Sequence, residues 1–233
     1  MTDIIFAQED VAENPYHKFH LEGHANAVRA LAARGRTLVS GSYDTRVRVW
    51  DLTTGTERFV LTGHTSLVGL LGLSASHLVS AAADSTLRVW DPDTGEMKHT
   101  LAAHNGAVTC FQHDEFKVLS GSDGALKMWD IRDGSVVRDL LTGIVGVWQV
   151  VFEGRWCVAA SNRQDSTFLD VWDFGTEEIE GEDGVRELKE VSDWVGEPQN
   201  WFYEDTTDDE YEEEEAVMMD AMDHGSRRVA PSD

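Results

Sequence analysis

The sequence is poor in cysteine and in basic residues, and each shortage excludes a class of protein. Its two cysteines, Cys110 and Cys157, are too few for a disulfide framework or a cysteine-ligated zinc site. No apolar run is long enough to span a bilayer. The N-terminal segment carries acids but no base, unlike a secretory signal or a transit peptide. These features predict a protein of a reducing compartment, in the nucleus, the cytoplasm or both.

The shortage of bases is greatest toward the C-terminus. The 233 residues contain 43 acids and 19 bases, a net charge of -24, and residues 176–233 hold 21 of those acids and only 4 of the bases. This negative net charge disfavours binding to nucleic acid or to an anionic membrane. Because the stretch 204–223 has eleven acids and no base, we expect 175–233 to be a mostly disordered acidic tail. We expect residues 1–16 to be a flexible lead.

What the sequence does contain is a repeat with a period of about forty residues. A histidine that follows a small residue recurs as His24, His64 and His104. Trp-Asp pairs recur with the tryptophans Trp50, Trp90, Trp129 and Trp172. Between these markers lie short apolar runs of period two, separated by turns rich in glycine and aspartate. The pattern predicts an all-β chain of four-stranded antiparallel units.

This pattern resembles the WD-repeat family, whose repeats form the blades of a β-propeller. The resemblance covers residues 17–174 and implies a partial propeller of about four blades. Residues 18–21 look like the outer strand of a blade that lacks its inner strands, or like a strand that pairs with the last blade. Four blades could close a ring alone, two chains could share one ring, or the blades could stay open and self-associate through their edges. The residues leave these alternatives open.

In this family a histidine, a strand hydroxyl, a turn aspartate and the tryptophan form a hydrogen-bonded set within each blade. The matching sets are His24, Ser40, Asp44 and Trp50; His64, Ser80, Asp84 and Trp90; and His104, Ser120, Asp123 and Trp129. The fourth unit departs from the pattern, because Gly143 stands at the histidine position. Serine, histidine and aspartate also make catalytic triads, but an enzyme does not need one active site in every blade. The recurrence therefore predicts a structural role.

Nothing in the sequence indicates catalysis. It has no phosphate-binding glycine loop, no dinucleotide-binding glycine motif and no metal-ligand spacing. We therefore predict that the chain is not an enzyme, has no catalytic residue and takes no metal or cofactor. The expected partners are proteins or phosphopeptides.

The residues between the markers resemble one group within the family more closely. The segments 63–71, 78–86 and 147–150 look like blades of the F-box/WD-repeat substrate receptors of SCF ubiquitin ligases. That resemblance implies recognition of phosphorylated Ser/Thr-Pro degrons. In such a pocket arginines hold the phosphate, because a guanidinium matches it with two hydrogen bonds, and aromatic rings flank the proline.

Three residues match that pocket by position. Arg29 lies five residues after His24, and Trp148 lies five residues after Gly143. Tyr43 immediately precedes the turn aspartate of the first unit. The resemblance implies that these three side chains bind the phosphopeptide. Taken singly, an arginine is more often solvated at a rim, and a tryptophan is more often packed in a core.

The resemblance is incomplete in two respects. Only one arginine matches the pocket, so phosphopeptide affinity should be weak. Only sixteen residues precede the first strand, too few for an F-box, so we expect a fragment or a truncated form, and contact with ubiquitin-ligase subunits would need a longer one. The leading hypothesis is the substrate-binding module of an SCF-type receptor in ubiquitin-dependent degradation. The alternative is a generic WD-repeat scaffold that binds proteins without recognising phosphodegrons.

Overall fold

Regular structure in the described part of the chain consists of β-strands alone. The computed structural model describes residues 15–180 and 186–190. Their strands form three four-stranded sheets, one three-stranded sheet and one two-stranded sheet. The predicted all-β fold of repeated antiparallel sheets is confirmed. No helix in these residues is long and apolar enough to cross a membrane.

The first three sheets repeat one design, in which four consecutive antiparallel strands pair in chain order. Blade 1 consists of β1 (Val28–Arg34), β2 (Thr37–Ser42), β3 (Val47–Asp51) and β4 (Thr56–Leu61). Blade 2 consists of β5 (Val68–Leu73), β6 (Leu78–Ala82), β7 (Leu87–Trp90) and β8 (Met97–Leu101). Blade 3 consists of β9 (Val108–His113), β10 (Lys117–Ser122), β11 (Ala125–Asp130) and β12 (Val136–Thr142).

A glycine with positive φ turns the chain from the third to the fourth strand of each of these blades. Gly55, Gly95 and Gly134 have φ values of 69°, 73° and 75°. A Cβ would strain the backbone in this left-handed region, so the turn calls for glycine. The amide of each glycine donates to the carbonyl of the aspartate that follows the blade tryptophan, at 2.8 to 2.9 Å. The Trp-Asp pair and the glycine therefore close the same hairpin.

The fourth sheet has three strands instead of four. Blade 4 consists of β13 (Gly146–Glu153), β14 (Trp156–Arg163) and β15 (Ser166–Asp173). Among the described residues no strand lies along the outer edge of β15. Residues 18–21, which the sequence suggested as an outer strand, belong to none of the sheets.

A two-stranded sheet follows blade 4. It pairs β16 (Thr176–Glu180) antiparallel with β17 (Arg186–Glu190). These strands lie within the segment that was predicted to be mostly disordered. The remainder of that predicted acidic tail lies outside the described residues, as does most of the predicted flexible lead.

Successive blades pack face to face. We call the side of a blade that is directed toward the preceding blade its leading face, and the opposite side its trailing face. Between blades 1 and 2, trailing residues of one meet leading residues of the other in a single buried cluster that includes Val39, Val47, Val49, Val68, Leu78 and Trp90. Equivalent clusters join blade 2 to blade 3 and blade 3 to blade 4. The core therefore lies between the blades.

Two glycines on trailing faces allow the blades to approach closely. A Cβ on Gly41 would come within 2.7 Å of a methyl carbon of Val68 in the next blade. A Cβ on Gly121 would come within 2.7 Å of the Val147 Cβ. Both distances are too short for a real contact, so backbone and valine meet directly at these points.

Candidate functional site

Blade 1 contains a continuous chain of hydrogen bonds that runs from its core to its surface turn. The Trp50 Nε1–H donates to Ser40 Oγ at 2.8 Å. Ser40 Oγ lies 2.8 Å from His24 Nε2, and His24 Nδ1 lies 2.8 Å from the Asp44 carboxylate. Because indole only donates, the serine hydroxyl donates to the histidine, whose other nitrogen then donates to the carboxylate. Every polar atom of the set has a partner.

Blade 2 repeats the same chain with nearly the same distances. Trp90 donates to Ser80 at 2.9 Å, and His64 bridges Ser80 and Asp84 at 2.8 and 2.9 Å. Burial lowers the pKa of His64 and keeps the ring neutral. Burial alone would raise the pKa of Asp84, but hydrogen bonds from the Thr65 amide, Thr86 and His64 outweigh it and hold that pKa below its ordinary value.

Blade 3 lacks the last link of this chain. Trp129 and His104 both bond Ser120 Oγ at 2.7 Å. Asp123 does not reach the histidine, and His104 Nδ1 has no hydrogen-bond partner among the described residues. The prediction that Asp123 completes this set is therefore wrong.

The physical cause is the length of the turn between the second and third strands. Ser120 precedes Asp123 by three residues, whereas Ser40 precedes Asp44 by four. Strand pairing places Asp123 at the position of Tyr43, one residue before the place that the carboxylate takes in blade 1. Burial lowers the pKa of His104 to about 4, and the Lys127 ammonium adds to this effect.

Blade 4 has neither the histidine nor the serine. Gly143 replaces the first, and strand pairing places Ala159 at the position of the second. Trp172 remains and packs beside the buried cluster between blades 3 and 4. The Arg155 guanidinium donates to the Asp173 carboxylate at 2.6 Å, and this ion pair stabilises the sheet. Packing and ion pairs hold this blade, without a polar chain like that of blade 1.

The contacts of these sets favour the predicted structural role in the blades. Their serines and tryptophans are buried, and in blades 1 and 2 the histidine bonds both the serine and the aspartate, which also accepts from the backbone of the turn. A buried polar group that has all its partners stabilises one arrangement of the chain. In the described residues no group of three histidine, cysteine or acidic side chains is arranged to hold a metal ion.

The difference between Asp44 and Asp123 gives a matched test of this role. We expect Asp44→Ala to lower the free energy of unfolding by about 1–3 kcal/mol, because it leaves the buried His24 donor and the Ala25 amide without their acceptor. Asp123→Ala should change it by less than about 0.5 kcal/mol. Urea unfolding followed by circular dichroism measures both. Equal losses in the two variants would contradict the assignment.

Arg29 and Trp148 occupy the same structural position in blades 1 and 4. Strand pairing shifts register between Val28 and Ala30, and again between Val147 and Gln149. Arg29 and Trp148 are therefore the bulged residues of β1 and β13. A bulge redirects a side chain away from the regular alternation. Both side chains are exposed, and Trp148 is 65% accessible.

Tyr43 lies beside the start of β1. Its backbone amide donates to the carbonyl of Ala27 at 3.0 Å, which fixes the turn next to the bulge at Arg29. The ring is 47% exposed. The structure therefore brings Tyr43 and Arg29 together at one end of blade 1, and it places Trp148 at the corresponding end of blade 4.

Arg46 is a residue of this region that the sequence analysis did not single out. It closes the same turn, where its carbonyl accepts from the Ser42 amide at 3.3 Å and its side chain is exposed. The signal that points to it is a basic residue two positions after the turn aspartate. Blade 1 is the most basic of the four, with six arginines and three acids in residues 23–61. This end of blade 1 therefore offers two guanidinium groups.

The fold and the repeated hydrogen-bonded sets define a β-propeller protein of the WD-repeat class. The family model described as "WD domain, G-beta repeat" matches residues 15–51, 55–91 and 95–130. The crystal structure of the computationally designed Ika4 protein is 34% identical, with a TM-score of 0.60, and the match covers 67% of this chain and 96% of that one. The chain belongs to the WD-repeat family.

Two further matches extend the comparison. The computationally designed Ika8 protein is also 34% identical with a TM-score of 0.60, but the match covers 66% of this chain and 48% of that one. Cell division control protein 4 of Candida albicans is 38% identical over 221 residues, 74% of this chain. The chain spans about a third of the length of that relative, 32%. It is thus similar to part of a much longer protein.

Proposed function

We propose that the chain is the substrate-binding module of an SCF-type ubiquitin-ligase receptor, which binds phosphorylated Ser/Thr-Pro segments for degradation. The observation that carries this is the pair of Arg29 and Tyr43 at one end of blade 1. An exposed guanidinium there faces no acidic partner among the described residues. Similarity to cell division control protein 4 supports the same function.

The chemistry of this surface suits a phosphothreonine followed by proline. A guanidinium donates two parallel hydrogen bonds to a phosphate and keeps its charge at any physiological pH. Arg46 adds a second exposed cation, in the turn at the same end of blade 1. The exposed rings of Tyr43 and Trp148 provide flat apolar surfaces against which a proline packs. The excess of bases in blade 1 offsets the negative charge of the whole chain locally.

Fluorescence anisotropy with a labelled Thr-Pro peptide, phosphorylated on the threonine, tests this function. We expect Arg29→Ala to weaken binding by about 10- to 100-fold, which is the effect of losing one charge-assisted phosphate contact. Arg34→Ala is the matched control, because Arg34 is an exposed arginine at the other end of the same strand. Its loss should change the dissociation constant by less than about twofold.

The outcome also decides between the two functions. Equal binding of the phosphorylated and unphosphorylated peptides, or equal effects of Arg29→Ala and Arg34→Ala, would contradict phosphate recognition. The generic scaffold would then be the better description. Measuring in two salt concentrations separates a contact with phosphate from bulk attraction, because bulk attraction between separated charges is screened first.

A further inference from the structure

The trailing face of blade 4 exposes apolar side chains that the other blades bury. In β3, β7 and β11 the two trailing residues are Val47 and Val49, Leu87 and Val89, and Leu126 and Met128, all buried by the following blade. Strand pairing gives Leu169 and Val171 the same positions in β15. They are 73% and 60% exposed. The trailing face of blade 4 therefore has the apolar residues that the other blades bury against the blade that follows them.

The leading face of blade 1 is exposed in the same way. Val68 and Leu71 of β5 pack against blade 1 in the cluster between the two blades. Their counterparts in β1 by strand pairing are Val28 and Leu31. These are 48% and 66% exposed, whereas Val68 is fully buried. Blade 1 therefore presents the surface that a preceding blade would cover.

The segment before β1 lies where an outer strand would lie. Phe59 of β4 packs over Gly95 of the next blade, and His99 of β8 packs over Gly134 in the same manner. Phe19, forty residues before Phe59, packs over Gly55 in blade 1. Residues around Phe19 thus take the place of an outer strand that belongs to a blade ahead of blade 1, while belonging to no sheet themselves.

We propose that two copies of this chain close one ring of eight blades, in which the trailing face of blade 4 in each copy packs on the leading face of blade 1 in the other. Each copy supplies residues 18–21 as the fourth strand beside β15 of the other. In blade 1 the pairing sets Val49 opposite Phe59 and Val47 opposite Leu61. The same register sets Val171 opposite Phe19 of the second copy and Leu169 opposite Leu21 of the second copy.

Charge selects the blade 4 to blade 1 contact over contacts between identical faces. Blade 1, over residues 23–61, has six bases and three acids, and blade 4, over residues 143–175, has two bases and four acids. Two copies of blade 1 would therefore repel each other, as would two copies of blade 4, whereas blade 4 and blade 1 would attract each other. This inference does not depend on the proposed function, because it concerns the blade faces and not the turn that carries Arg29.

The coverage of the matched structures supports a ring of this size. The match with this chain covers 96% of the Ika4 chain but only 48% of the Ika8 chain. The four blades thus superpose on about half of a chain of the same fold. Two copies supply a set of blades as large as that longer chain, and a contact between unlike faces that closes gives a finite assembly rather than a filament.

Multi-angle light scattering of the full chain after size exclusion tests the closure. We expect a mass near twice the 25.9 kDa of one chain. Leu169→Asp and Leu31→Asp should each raise the dissociation constant more than about 100-fold, because each buries an unpaired carboxylate at the contact. Val136→Asp is the control, since Val136 is an exposed residue on the outer strand of blade 3 and should leave the dimer intact.

An engineered disulfide tests the strand exchange itself. Residues opposite each other in antiparallel strands lie about 4.5–5.5 Å apart at Cα, within the range that a disulfide spans. The double variant Leu21→Cys with Leu169→Cys should give a cross-linked dimer on a non-reducing gel. The pair Leu21→Cys with Val136→Cys should not.

The results that would overturn the inference are distinct. A single species with the mass of one chain at about 100 μM, or a dimer that survives both aspartate variants, would show that these faces do not join. Long open assemblies would show that the contact does not close after two copies. A dimer without the disulfide cross-link would rule out the exchanged strand. Peptide binding that fails while the dimer persists would count against the proposed function alone.

Discussion

Replacing Trp129 by alanine should lower the free energy of unfolding by about 3–5 kcal/mol, the loss typical of a large aromatic side chain removed from a core. Trp129 is 2% exposed and lies in the buried cluster between blades 2 and 3. Its indole N–H donates to Ser120, and its ring meets the His104 ring edge-on at 5.9 Å between centroids. Truncation would therefore leave a cavity and also remove a donor from the polar chain.

Trp148→Ala is the matched control for this measurement. Both residues are tryptophans on strands, but Trp148 is 65% exposed at a bulge. Its truncation should change the free energy of unfolding by less than about 0.5 kcal/mol. Urea unfolding followed by far-ultraviolet circular dichroism compares the two variants. A large loss of stability in Trp148→Ala would show that this ring supports blade 4, and it would remove Trp148 from the proposed binding surface.

The architecture was predictable because each blade repeats the same local rules. Alternating apolar residues, Trp-Asp pairs and turn glycines recur at a constant spacing, so three copies of the pattern support one interpretation. The sets that begin at His24 and His64 could be found from spacing alone. In both blades the aspartate follows the serine by the same number of residues, so its carboxylate reaches the histidine in the same way.

The third set could not be predicted in the same way. Asp123 keeps its distance from Trp129, and that spacing suggested that it matched Asp44. Strand pairing aligns Ser122 with Ser42 and Leu126 with Val47, so the missing residue lies in the turn after Ser122 and not between Ser120 and Asp123. A carboxylate must reach within about 3 Å of its donor, so a shift of one residue is enough to lose the bond.

The exposure of the leading face of blade 1 and of the trailing face of blade 4 could not be predicted from the sequence either. Leu169 and Val171 have the alternation of any trailing strand, and nothing in that pattern shows whether another blade covers them. Their exposure depends on neighbours that are far away in the chain. The sequence raised open, closed and shared rings as alternatives, and the exposed faces of blades 1 and 4 are what favour the shared ring.

Acidification should destabilise the protein through His104. The pKa of His104 falls from its ordinary value of 6.5 to about 4, first because the ring is buried and then because Lys127 is near, while Asp139 opposes the shift. The unfolded chain therefore takes up a proton below pH 6.5 that the folded chain does not accept until about pH 4. Stability is then lost as the pH falls through this window. At pH 4.5 the loss from this residue is on the order of 2 kcal/mol.

His104→Gln isolates this contribution. Its amide oxygen still accepts from Ser120, but the side chain does not titrate. We expect the variant to be somewhat less stable at pH 7 and to lose about 2 kcal/mol less than the wild type between pH 7 and pH 4.5. The variant should still lose some stability between pH 7 and pH 4.5, because burial also lowers the pKa of His64.

His17→Gln is the control for the pH series, because His17 is exposed and lies outside residues 18–21. Its unfolding free energy should follow the wild-type dependence on pH. If His104→Gln showed the wild-type dependence as well, His104 would have to gain a proton in the folded state near neutral pH. Burial would then not lower the pKa of this ring, and the assignment of the pH dependence to His104 would be wrong.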